Sequence, residues 1–141
     1  MRVPLCVIIL LFAGCQHSNP ECSGPVLAPN QPNGSSPLAS AMVAMDSQLQ
    51  AISNAAESES WQGLSLPLTE LLQLEPTDAS MINSHFVEQA PLYQLAIEQF
   101  NAHPSPHSFN AVVDACANCH LGTCPGPLER IEKRRVNDGA N

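Results

Sequence analysis

Apolar residues recur along the middle of the chain at intervals of three and four, the period of one face of an α-helix. The first such series follows Ser36-Pro37, a pair typical of a helix N-cap and first turn. Gly63, just after Trp61, is a natural point for this helix to stop. The pattern therefore predicts a long first helix, whose apolar face comprises Leu38, Met42, Met45, Leu49, Ile52 and Ala56.

Three further segments show helical periodicity, and proline-rich turns separate them. A short helix is expected near Pro67, and a third over residues 82–100, kinked or starting late because Pro91 falls inside it. A fourth helix follows the break at residues 104–106 and ends at Gly122. The apolar positions of these segments are Leu68, Leu71 and Leu72; Ile82, Phe86, Ala90, Tyr93, Ile97 and Phe100; and Phe109, Val112, Val113, Cys116 and Cys119.

No segment shows the long alternation typical of a β-strand, so the predicted fold class is all-α. Four helices joined by short links favour an antiparallel four-helix bundle over residues 37–141. A short amphipathic piece with Leu128 and Ile131 extends its C-terminus. Aromatic residues make up only 4% of the chain, so the core must be aliphatic or must surround a large group that is not protein.

The first 14 residues have the organisation of an export signal. Arg2 supplies the positive start, and Leu5 to Ala13 form an apolar run that is too short to span a bilayer. The run ends in Leu-Phe-Ala-Gly-Cys15, which resembles a bacterial lipoprotein lipobox. That resemblance implies cleavage before Cys15, a lipid on Cys15, and a location in the bacterial cell envelope facing the periplasm. An ordinary signal peptide cut nearby and an uncut anchor are the alternatives.

Pro, Ser, Asn and Gly dominate residues 16–36, and the segment shows no hydrophobic period. Such a composition cannot bury enough apolar surface to offset the entropy of ordering the chain. We therefore expect three parts: a signal peptide over residues 1–14, a lipidated cysteine and tether over residues 15–36, and a helical domain over residues 37–141.

The chain carries 13 acidic and 5 basic residues, for a formal net charge of −8. This balance excludes non-specific nucleic-acid binding, which needs clustered Lys and Arg. No Lys or Arg lies between Val3 and Glu129, so every basic side chain of the helical domain falls within residues 130–135. The acidic remainder would suit a basic partner protein through electrostatic steering.

Cys116-Ala-Asn-Cys119-His120 is the attachment signature of c-type haem. Each thiol forms a thioether with one vinyl group, and a separation of three residues puts the two thiols about one helical turn apart. The adjacent histidine then reaches the iron from the same side. The export signal agrees, because c-type haem is attached outside the cytoplasm.

Two other chemistries remain open for the same cysteines. A redox dithiol is one, although no βαβ pattern surrounds it. The other is zinc held by Cys116, Cys119, His120 and Cys124, although neighbouring Cys and His residues are unusual as zinc ligands. Cys22 and Cys124 also form a leftover pair that could make a disulfide in an oxidising compartment, unless each is free or bonds another chain.

The motif lies on the last long helical segment, after three others, and this organisation resembles the class II c-type cytochromes. These are the cytochrome c-prime group and its low-spin cytochrome c-556 relatives, and the resemblance covers residues 37–122. It implies that a residue early in the first helix faces the distal side of the iron, either a ligating methionine or an apolar non-ligand. By this match Met42 is the sixth ligand and Met45 packs on the haem. Members often dimerise through their first helices, which adds a homodimer to the expectations.

These expectations describe a lipid-anchored carrier of single electrons with one covalent haem c. Cys116 and Cys119 hold the porphyrin, His120 and Met42 ligate the iron, and a redox partner protein exchanges the electron. The first alternative is a high-spin protein that binds NO or CO, in which Met42 only packs. The second is a haem-free lipoprotein that uses its cysteines for zinc or a disulfide in an interaction module. No constellation typical of an enzyme is recognised in the sequence.

Overall fold

The chain is helical in a computed structural model, which describes residues 35–139 apart from residue 59 and the side chains of residues 57 and 58. Four α-helices follow one another: α1 (Pro37–Ser58), α2 (Ser84–Ala102), α3 (Pro106–Thr123) and the short α4 (Leu128–Glu132). Two single 3-10 turns, Leu71–Gln73 and Ala79–Met81, lie between α1 and α2. Within the described residues there is no strand, so the all-α class is confirmed.

Local side-chain caps set the starts of the three long helices. At α1 the Ser36 hydroxyl accepts a hydrogen bond from the amide of Ala39, at 3.1 Å. At α2 the Asn83 side chain accepts one from the amide of Phe86, at 2.9 Å. At α3 Ser105 forms a reciprocal capping box with Ser108, just ahead of Pro106. These are the backbone donors that a helix cannot satisfy internally, so each cap fixes where its helix begins.

The pair α2 and α3 forms the centre of the domain, as an antiparallel hairpin with a short link. Its most completely buried side chains are Phe86, Phe100, Phe109, Val112 and Val113. Trp61, from the segment after α1, covers two of these rings, with centroid separations of 6.3 Å to Phe100 and 5.5 Å to Phe109. Truncating a phenylalanine buried in this way typically costs about 3–5 kcal/mol, so this aromatic cluster is a main source of stability.

Two asparagine side chains fasten extended chain segments to this hairpin. Asn101, at the end of α2, pairs with both the amide and the carbonyl of Leu66, at 2.7 and 2.8 Å. Asn110, near the start of α3, pairs in the same way with Val136, at 3.1 and 2.9 Å. Each amide thus replaces the two hydrogen bonds that a neighbouring strand would supply.

Helix α1 lies against this core through Leu38, Met45 and Leu49, which are all buried. Its first turn is held by the amide of Leu38, which donates to the carbonyl of Glu75 at 3.1 Å. Its middle is held by Asp46, which forms an ion pair with Arg134 of the C-terminal tail, here residues 133–139. The segment from residue 71 to residue 77 and the tail therefore fix the position of α1 at two levels.

The short helix expected near Pro67 is instead one 3-10 turn at Leu71–Gln73. Only eight residues separate Pro67 from Pro76, and the residue before a proline is disfavoured in helical conformation. A helix this short has too few backbone bonds to offset its nucleation. The Leu66 backbone finds its partners in the Asn101 side chain instead.

The third predicted helix does not start late at Pro91, because α2 begins at Ser84 and continues through this proline. Pro91 lies on the exposed side of the helix, as does Val87, four residues earlier. The Val87 carbonyl, which loses its intrahelical partner to the proline, can therefore be solvated by water. Gly63 has a positive φ of 80° and lies in the turn after α1, which ends somewhat earlier than the pattern predicts.

Candidate haem site

The Cys-x-x-Cys-His sequence occupies the last two turns of α3. Cys119 is buried with 6% of its surface exposed, whereas Cys116 and His120 are half-buried. Because both cysteines lie on one regular helix, three positions apart, their side chains project about one turn from each other. The structure therefore brings the three residues of the motif together as the sequence predicts.

The His120 ring has a fixed orientation, because its Nδ1 atom lies 2.8 Å from the carbonyl oxygen of Cys124. A carbonyl only accepts, so Nδ1 carries the hydrogen and donates it. The lone pair of the neutral ring then resides on Nε2. Histidines that ligate metals commonly have this arrangement, in which a backbone carbonyl holds the other ring nitrogen.

Both thiols of the motif are held in their neutral form. The pKa of Cys116 is raised to about 12, mainly by burial and to a lesser extent by the nearby Cys119 and Asp46. Burial also raises the pKa of Cys119. At neutral pH neither sulfur is a thiolate, so in this arrangement both are poor nucleophiles.

Helix α1 covers Cys116. Met45 and Leu49 of α1 meet Cys116, Tyr93 and Ile97 around a cavity of about 10 Å³. A space of that size holds one water molecule at most. The donor set at the end of α3 fits a c-type haem, whereas the space beside Cys116 admits a porphyrin only if Met45 and Leu49 move.

The two methionines named as haem contacts occupy different positions. Met45 is buried, with 8% exposed, and lines the cavity beside Cys116. Met42 lies one turn nearer the start of α1, half-buried, and packs against the edge of the core. Both therefore lie on the inner side of α1, and Met45 is the one that the structure brings to a motif cysteine.

The start of α2 braces the end of α3 around Gly122. Nε2 of His85 lies 2.8 Å from the Asn118 carbonyl, inside the motif, and Asn83 donates to the Gly122 carbonyl at 3.1 Å. The His85 ring fills the space where a Cβ at residue 122 would be. Sequence reasoning missed this contact. The one hint in the sequence is Gly122 itself, a glycine inside the last turn of a helix where no tight backbone turn requires one.

Thr123, three residues after His120, has a hydroxyl with no hydrogen-bond partner among the described residues, although it is buried. An unsatisfied buried hydroxyl costs about 1–3 kcal/mol. A polar group of a bound ligand would recover that free energy at this end of α3. Asp46, which acts electrostatically on the Cys116 thiol, is the ion-pair partner of Arg134.

Among the described residues, Cys116, Cys119 and Cys124 form no disulfide with one another. Cys15 and Cys22, together with the predicted signal peptide and nearly all of the tether, fall outside the described residues, so lipidation and the Cys22–Cys124 disulfide stay predictions. In the part of the chain described, no three His, Cys, Asp or Glu side chains converge as a metal-ion group. None of the described helices is long and apolar enough to cross a bilayer.

Comparison of the chain with protein-family models, with curated proteins and with solved structures finds no match.

Proposed function

We propose that this chain is a lipid-anchored monohaem c-type cytochrome that carries single electrons. Cys116 and Cys119 would hold the porphyrin through thioethers, and His120 would be the proximal ligand. The observation that carries the proposal is the complete motif at the end of α3, with the His120 Nδ1 atom held by the Cys124 carbonyl at 2.8 Å. With Nδ1 engaged in this hydrogen bond, Nε2 would be the coordinating atom.

Met42 is the proposed sixth ligand. A thioether is an established axial partner for His-ligated iron, and Met42 lies on the inner side of α1. Haem c would supply reversible one-electron redox chemistry of iron at this site. Met45 and Leu49 would leave the space beside Cys116 and pack on the ring, and the predicted antiparallel four-helix bundle around haem is part of this proposal.

The setting that we propose is the bacterial cell envelope, facing the periplasm. Cys15 would carry the lipid, and residues 16–36 would tether the domain to the membrane. The redox partner would be a protein with a basic surface, because the chain is strongly acidic outside residues 130–135. A homodimer is a further state to test.

The experiment is an absorption spectrum of the dithionite-reduced soluble chain, residues 16–141, produced with the haem-maturation system and recorded before and after adding CO. Sharp low-spin bands that CO leaves unchanged would support ligation by Met42 and electron transfer. The intact mass should exceed that of the polypeptide by one haem. A chain without haem absorption or haem mass would refute the proposal.

A gas-binding cytochrome is the second candidate, and one observation favours it. The residues that surround Cys116 are mostly apolar, with Leu49, Leu66 and Ile97 beside Met45. An apolar distal side suits an open iron that binds NO or CO. A high-spin spectrum that shifts on adding CO would select this function. If no haem is present, metal analysis and free-thiol counting test the haem-free alternative, a zinc-bound or disulfide-linked interaction module.

A further inference from the structure

Helix α2 carries large apolar residues on its outer side as well as on its inner side. Its inner face is fully packed against the core. Its outer face carries Val87, Pro91 and Leu95 in one row at intervals of four, with Leu92 beside them. Val87, Leu92 and Leu95 are 47%, 51% and 49% exposed, although their side chains are large and aliphatic. We refer to these four residues as the exposed α2 face.

A helix at the surface of a globular protein normally has charged and polar residues on its outer side, and one that is apolar all round is normally covered. Helix α1 follows that rule, because its one large exposed apolar residue is Val43 among alanine, serine and glutamine. Contiguous exposed apolar residues mark interaction sites more often than isolated ones do. The row on α2 is therefore the outlier among the described helices.

The charge around this row has one sign. Glu88 lies four residues before Leu92, and Glu98 lies three residues after Leu95, so each carboxylate is one helical turn from an exposed leucine. Both are exposed, and neither joins an ion pair within the described ranges. The ion pairs that do form involve Lys133, Arg134 and Arg135, which already have acidic partners on α4, α1 or α3.

We propose that the exposed α2 face docks a partner protein segment that presents Lys or Arg around an apolar centre. Leu92, Leu95 and Val87 would bury against that centre, and Glu88 and Glu98 would pair with the flanking cations. Apolar contacts at the middle of a patch supply most of the affinity, whereas charges at its rim govern encounter rate and choice of partner. The exposed α2 face offers both, with its leucines and valine as the apolar contacts and Glu88 and Glu98 as the charges beside them.

A second copy of the chain fits this face poorly. A two-fold interface would place the same surface on both sides, so Glu88 and Glu98 of each copy would meet carboxylates and no cation. The chain has no Lys or Arg from residue 36 to residue 129 that could be brought in to compensate. An anionic lipid surface would be repelled by the same two carboxylates. A cationic, amphipathic protein segment is the occupant that the charges select.

The inference stands apart from the proposed electron transfer, because none of the residues on this face is a proposed haem ligand. A haem spectrum recorded on each sample keeps the two tests separate. A chain without haem would contradict the proposed function, and its peptide binding could still be measured. A chain with haem that binds no peptide would contradict the docking proposal alone.

The test uses the purified mature chain and a fluorescent synthetic peptide of Lys and Leu in helical spacing. A control peptide has the same number of Lys with Ser in place of Leu. Fluorescence anisotropy should show saturable binding of the first peptide and much weaker binding of the second. Leu92→Ser combined with Leu95→Ser should weaken binding about tenfold or more. Glu88→Gln combined with Glu98→Gln should weaken it too, and more so at low salt than at high salt.

Two matched controls accompany these variants. Val43→Ser removes an exposed apolar side chain from α1, and Glu129→Gln with Glu132→Gln removes two charges from α4. Neither should change peptide binding. Equal binding of both peptides, or equal losses in the controls and the α2 variants, would overturn the proposal. So would concentration-dependent self-association, or binding to anionic phospholipid vesicles, that Leu92→Ser with Leu95→Ser abolishes.

Discussion

The carboxylate of Asp46, in the middle of α1, accepts two hydrogen bonds from the guanidinium of Arg134, which lies 88 residues later in the chain. The distances are 2.7 Å from Nε and 2.9 Å from Nη2, and only 16% of the arginine side chain and 23% of the aspartate side chain are exposed. The planar fork of an arginine matches both oxygens of a carboxylate at once. The tail thereby holds α1 over Cys116.

Breaking this pair should loosen α1. We expect Arg134→Gln to lower the free energy of unfolding by about 1–2 kcal/mol, because a partly buried carboxylate is left without its partner. Urea denaturation measures the loss as a lower midpoint. Lys133→Gln, which breaks a pair that is mostly exposed, serves as the control and should change stability by less than about 0.5 kcal/mol. Equal effects of the two variants would mean that the Asp46 pair does not hold the helix.

Replacing Gly122 by alanine should destabilise the domain. The new Cβ would lie 2.6 Å from Nε2 of His85 and closer still to Cγ and Cδ2, which would push the imidazole from its hydrogen bond with the Asn118 carbonyl. Such overpacking costs about 1–3 kcal/mol, more than the helix propensity gained from alanine. With His85→Ala in the same chain the clash is gone, so Gly122→Ala should become neutral or stabilising. Thermal denaturation of the original chain, the two single variants and the double variant shows whether Gly122→Ala lowers or raises the melting temperature with and without the His85 ring.

Met42 and Met45 should respond differently to alanine substitution. Under the proposed function, Met42→Ala should convert the iron to a high-spin state that binds CO, because the sixth ligand is lost. Met45→Ala should keep the low-spin spectrum and lower stability by about 2–5 kcal/mol, since Met45 is buried. Absorption spectra with and without CO, together with denaturation curves, separate the two effects. A spectral change confined to Met45→Ala would reverse the assignment.

The single tyrosine gives a direct measurement of pH dependence. The pKa of Tyr93 is raised from 10.0 to about 12, mainly by burial and in smaller part by the nearby Cys116, against a hydrogen bond from Thr69 that lowers it. The folded chain therefore keeps this proton at pH values where the unfolded chain has lost it. Its contribution to stability is complete below pH 10 and disappears as the pH rises through about 12.

Phenolate absorbance of the chain made without haem should show half-ionisation near pH 12 when folded and near pH 10 in denaturant. Circular dichroism at each pH verifies that the fold persists. A midpoint near 10 in the folded chain would show that the Tyr93 ring is solvated.

The lipid prediction concerns Cys15. Cys15→Ser should abolish lipid attachment and signal processing at this site, since the serine hydroxyl would not carry the lipid thioether, and the uncut apolar signal would then be what holds the chain at the membrane. Cys22→Ser, a matched change outside the lipobox, should leave membrane association intact. Immunoblots of fractionated cells report both, and unchanged processing in Cys15→Ser would exclude lipidation there.

The sequence predicts the three long helices well because their apolar periods are long and their caps are local. Ser36, Asn83 and Ser105 act within three residues of themselves, so each start is readable from its neighbourhood. The expected second helix was wrong for the opposite reason. Its leucines fit a helical period, but the backbone of Leu66 is bound by Asn101, 35 residues away, and no local pattern reveals such a partner.

In the candidate site, too, the local features could be predicted from the sequence and the long-range contacts could not. The spacing of Cys116, Cys119 and His120 is local, and the structure keeps all three on one helix. The cover that Met45 forms over Cys116, and the brace from His85, depend on how α1 and α2 pack against α3. Such contacts depend on how the helices pack in three dimensions and not on the hydrophobic periodicity of one segment, so the sequence did not predict them.

The side chains of Asn101 and Asn110, which clamp the backbone at Leu66 and Val136, make the fold depend on two amides that can deamidate. Each clamp needs one amide nitrogen that donates and one oxygen that accepts. Deamidation of Asn101 or Asn110 would replace the donor by a carboxylate oxygen facing a backbone carbonyl, which turns attraction into repulsion. The two clamps, unlike the aromatic cluster, can therefore each be lost through the chemical change of a single amide.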